Sequence, residues 1–89
     1  MRSLALGLLL AGWVLLADSR ALQAFGSESA CTAAATAWQR QARDGVRWVA
    51  KQRQAAQGQP DELFWRQAVR RAAEQEARAR GARCAEVKS

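Results

Sequence analysis

"MRSLALGLLLAGWVLLADSRALQA", residues 1–24, decides whether the first quarter of this chain belongs to its fold, because its composition differs sharply from the rest. Arg2 stands near the start, an apolar run follows from Leu4 to Ala17, and small residues recur in "SRA" and "AFG". A basic end, an apolar middle and a small-residue cleavage site make up a secretory signal. Of the nine leucines, only Leu63 lies beyond Leu22. The run is shorter than the roughly 17–25 residues that cross a bilayer, and Asp18 follows it at once. The expectation is therefore a signal peptide over residues 1–24, cleaved between 21 and 26, and an exported product, secreted or periplasmic. The competing reading keeps the segment as an uncleaved N-terminal anchor.

Export gives the two cysteines a meaning. In an oxidising compartment an even count in a short chain reads as a disulfide. Zinc is not expected, since the chain has two Cys and no His. Cys31 lies too far past the apolar run for lipidation.

After residue 21 the chain carries 12 Lys or Arg against 7 Asp or Glu, a net of 12 − 7 = +5. A basic exported protein suits anionic partners: an acidic protein, an envelope surface or a polyanion. Arg outnumbers Lys 12 to 2, so coding bias accounts for part of this balance.

"QGQPDE", residues 57–62, breaks an otherwise helical pattern. Gly58 suits a helix end because it tolerates a left-handed backbone, and Pro60 suits a first helical turn. Asp61 and Glu62 then put negative charge at a helix N-terminus. Gly81 is the next stop, with Arg78 and Arg80 before it. At about 100° per residue, Cys31, Ala35, Trp38, Ala42, Val46 and Val49 share one face of the first helix. Arg40, Arg43, Arg47 and Lys51 form a basic face opposite. Phe64, Trp65, Ala68, Val69, Ala72 and Ala79 share a face of the second helix.

The cysteines fit this arrangement. Cys31 lies 27 residues before Gly58 and Cys84 lies 26 after it, so a chain turning there brings them together. The expected fold class is all-α: a two-helix antiparallel hairpin over residues 27–89, with helices at about 29–57 and 60–80, stapled at its open end by a Cys31–Cys84 disulfide. In the alternative, two chains align antiparallel and exchange the bridge as a homodimer. Either way the core is small, and closing a loop of this size contributes about 4 kcal/mol in the chain-entropy model.

"ELFWRQAVRR", residues 62–71, concentrates large apolar residues beside the turn. Three consecutive positions span about 200° of a helix and cannot all face one neighbour. Trp48, Leu63, Phe64 and Trp65, flanked by Arg47, Lys51 and Arg66, form the candidate partner-binding patch. In the plainer reading they cap the turn.

Catalysis is not expected. The absence of His and Tyr removes the usual general base and a common general acid, and no phosphate loop or metal-ligand spacing occurs. No cofactor is implied, and export argues against a nucleic-acid target. The expected function is a small exported binding protein that contacts an acidic or partly apolar protein or envelope partner. The alternatives are a cationic membrane-active or antimicrobial peptide, or a structural, self-associating subunit.

Overall fold

The computed structural model describes residues 12–87. They form five elements: strands β1 (Gly12–Ala17) and β2 (Arg20–Phe25), helices α1 (Glu28–Ala55) and α2 (Glu62–Arg80), and strand β3 (Arg83–Val87). The strands make one antiparallel sheet in the order β2-β1-β3, with β1 at its centre.

The all-α expectation is therefore overturned: a three-stranded sheet joins the two helices, and two of its strands come from the segment read as a signal. The cause is local. Strands covered on one face alternate apolar and polar residues, whereas "GWVLLA" is apolar throughout, so the period of two is invisible in it. Residues 1–11 of the expected signal lie outside the described residues. Residues 12–25 form β1 and β2, so removal of the chain up to any point between 21 and 26 would take away the central strand.

β1 and β2 are joined by Asp18 and Ser19 alone, both in the left-handed region with φ of 52° and 62°. Two such residues in succession make a type I′ turn, whose twist matches that of the paired strands. Asn-Gly would announce this turn in a sequence, and Asp-Ser does not. The pairing shifts between Leu15, opposite Gln23, and Leu16, opposite Ala21, so Leu22 bulges out unpaired.

The faces of β1 follow from its burial. Leu15 and Ala17 are buried and Trp13 packs with them, which turns this side of the sheet toward the helices. Leu15, Cys31 and Ala35 form the core cluster, bordered by Trp13, Phe25, Trp38, Ala82 and Cys84. Cys84 pairs with Leu15 across the ladder and is disulfide-bonded to Cys31, with Cα atoms 6.1 Å apart. One covalent link thus fastens the first turn of α1 to the sheet.

Ser27 caps α1 through its Oγ, which accepts from the Ala30 N–H at 3.2 Å. Beyond Ala55 the chain turns through Gly58, at φ 75°. Pro60 belongs to this turn, and α2 starts two residues later at Glu62. The helices pack together with small side chains; Ala79 is fully buried, and Gln39 Nε2 donates across to its carbonyl at 3.1 Å. The molecule is elongated, 57 × 22 × 20 Å, with the sheet at one end and the interhelical loop at the other.

Ser19→Gly tests the β1–β2 turn. It removes a left-handed cost of about 1–2 kcal/mol and adds about 0.5–1 kcal/mol of chain entropy, so denaturant unfolding should show a net gain of about 0.5–1 kcal/mol. A loss of stability would mean that residue 19 does not occupy a left-handed turn.

Candidate functional site

At the loop end, α1 contributes Arg47, Trp48 and Lys51, and α2 contributes Leu63 to Arg66. Trp48 and Trp65 meet edge to face, with ring centroids 5.6 Å apart and planes at 73°. Phe64 also meets Trp65, with centroids 5.0 Å apart and planes at 72°. Offset and perpendicular ring pairs are favoured because the positive edge of one ring meets the negative face of another. Trp65 is the half-buried centre of this row, and its Nε1–H donates to the Asp61 carboxylate at 3.0 Å. That bond holds the indole from the start of α2.

The other members face solvent: Trp48 is 56%, Phe64 60% and Leu63 65% exposed. Helical periodicity places Phe64 close to the inward direction, yet it is open. With only one neighbouring helix, the slot against Trp48 holds a single large ring, and Trp65 takes it. Leu63 and Phe64 are left on the flank.

The cations around this row differ in their attachments. Arg66 pairs with Glu62 one turn back at 3.3 Å. Arg47 and Lys51 are exposed and make no ion pair among the described residues, and the same holds for Arg40 and Arg43 farther along α1. The basic face is therefore a line of solvated cations that ends at the aromatic row. Farther from the loop, an open groove of about 370 Å³ between the helices is lined by Gln39, Arg43, Glu76 and Arg80. Its charges are mixed, and Arg80 and Glu76 bond one another at 2.6 Å.

Cys31 and Cys84 belong to the opposite end and hold the core together. No group of three or more His, Cys, Asp or Glu is placed to hold a metal among the described residues. No helix among them is long and apolar enough to cross a membrane. The sequence reading missed the polar anchor of the row. Asp61 and Trp65 are four residues apart, the spacing at which helical side chains meet, so that signal was present.

No family model, curated protein or solved structure matches this chain.

The exposure of the row sets the stability of its variants. Leu63→Ala should change unfolding free energy by less than about 1 kcal/mol, as for a surface position. Trp48→Ala should cost about 1 kcal/mol through the lost edge contact with Trp65. A cost of about 2–5 kcal/mol for Leu63→Ala would be that of a core leucine and would show the patch to be closed.

Proposed function

We propose that this chain is a non-catalytic binding protein that presents its aromatic row and neighbouring cations to an acidic, partly apolar protein partner. One observation carries the reading: the chain has six aromatic residues, and three large apolar side chains, Trp48, Leu63 and Phe64, stand open together at one end. Aromatic anchors ringed by polar groups are the composition of binding hot spots. Arg47 and Lys51 supply attraction for an acidic surface, with no ion pair to break first among the described residues. Trp65, already held by Asp61, presents its neighbours at little entropic cost.

The proposal includes export. It is supported by Arg2 ahead of the apolar run and by the oxidised pair Cys31–Cys84. It further takes the N-terminal segment to be retained, because β1 is the centre of the sheet.

A photo-crosslinking residue at position 64 tests the binding reading in producing cells. It should give one discrete adduct that Leu63→Ala and Trp48→Ala weaken together, and the same residue at Gln75 should give none. Equal adducts at both positions, or none at either, would reject the row as a binding site. An adduct of twice the chain mass would identify a second copy as the partner. The intact mass of the recovered protein should include residues 12–25, and their absence would reject retention.

A further inference from the structure

The sheet has a second face, turned away from the helices. Residues paired across a ladder share a face, so Val14 lies with Ala24 and Ala85, and Leu16 lies with Arg83. Val87, opposite Gly12, completes it. These residues are apolar except for Arg83; Ala24 and Arg83 are exposed, Val14, Leu16, Ala85 and Val87 are half-buried, and among the described residues none of them belongs to the core cluster on the helical side. A central strand that meets water on one face ordinarily alternates apolar with polar residues. β1 does not, which is the pattern of a strand covered on both sides.

Three observations identify what covers it. The apolar run of the sequence begins at Leu4 and passes unbroken into β1, so eight further residues, 4–11, precede the strand in the chain, and seven of them are Leu or Ala. Even fully extended, eight residues reach about 26 Å, less than the roughly 30 Å hydrocarbon core, so this run cannot cross a bilayer before the sheet begins. It has the length and composition to enter one leaflet. The charge of the face supplies the third. Arg83 is its one charged residue, no acid shares the face, and Arg2 precedes the apolar run.

Charge also decides between possible occupants. A second copy stacked face to face would bring two Arg83 side chains into one small apolar contact with no carboxylate to receive either. Residues 1–11 folded back over the sheet would add Arg2 and likewise no acid. An anionic bilayer provides apolar depth for Val14, Leu16 and Val87, and phosphate for a guanidinium that reaches up to the headgroups.

We infer that the outer face of the sheet, with Arg83 at its rim, is a membrane-contact surface that rests on the headgroup region of an anionic bilayer. It lies at the opposite end of the molecule from the aromatic row and does not rest on the proposed protein partner.

Flotation of the full disulfide-bonded chain with phosphatidylcholine vesicles, with and without one-quarter phosphatidylglycerol, tests this surface. The unmodified chain should float, and more so with phosphatidylglycerol. Ala85→Glu should lower partitioning about tenfold by adding a carboxylate and removing apolar contact at an anionic surface. Arg83→Glu should weaken the preference for phosphatidylglycerol, and an unchanged preference would remove Arg83 from the contact. Ala24→Glu, at an exposed position on the edge strand β2, should act like Ala85→Glu while keeping the bridge and the helical circular dichroism signal. If both Glu variants float as well as the unmodified chain, the N-terminal run binds alone and the face takes no part. Failure of the unmodified chain to float would overturn the proposal, as would a dimer in lipid-free solution that Ala24→Glu abolishes. Leu63→Ala should float normally, which separates this surface from the aromatic row.

Discussion

The bond between Cys31 and Cys84 is the constraint on which the rest of the structure depends. Cys31 has no solvent exposure, sits one turn into α1 and touches Leu15, while Cys84 pairs with Leu15 across the sheet. A single covalent link therefore fixes α1 to β3, whose ladder holds β1, and through the chain after Arg80 it ties the end of α2 to both. The remaining packing is thin. Among the described residues, four of the six buried hydrophobic side chains are alanines, whose burial contributes little per residue. A bridge spanning 53 residues contributes about 4 kcal/mol, on the scale of a small domain's whole stability. Under reducing conditions the sheet and the helices lose the restraint that holds them in register.

The helices and the bridge were legible because their signals are short-range and redundant. Gly58, Asp61 and Gly81 mark ends, and the spacing of Ala35, Trp38 and Ala42 marks a face. The nearly equal distances of the two cysteines from Gly58, 27 and 26 residues, pair them, and neither the other end signals nor the helical face makes use of the cysteines. The sheet was hidden for physical reasons. "GWVLLA" offers the same apolar run to a translocation channel, a bilayer or a sheet, and only its partners distinguish them. Those partners are weakly marked: "RCAEV" is five residues long, and "RALQAF" carries a bulge at Leu22 that interrupts its alternation. Of the candidate patch, the exposure of Leu63 followed from helical geometry, and that of Phe64 did not. It depends on how many large rings one neighbouring helix can accept.

The resulting molecule is polarised along its 57 Å length. One end carries the bridge, the core and a sheet whose outer face is apolar around one Arg. The other carries aromatic side chains beside cations that form no ion pair among the described residues. Arg78 Nε bonds the Asp18 carboxylate at 2.8 Å and joins the last turn of α2 to the β-turn, which helps fix the helical arm on its base. Both groups are largely exposed, so the pair adds orientation more than stability.

The central claim is that residues 12–25 are structural, with β1 as the middle of the sheet. Hydrogen exchange followed by mass spectrometry, on oxidised protein recovered from the cells that make it, tests this most directly. The account predicts that peptides covering residues 12–17 are present and exchange as slowly as those of α1 around Cys31. Their absence, or complete exchange within seconds while α1 stays protected, would contradict it and leave a helical protein from which the segment has been removed or released.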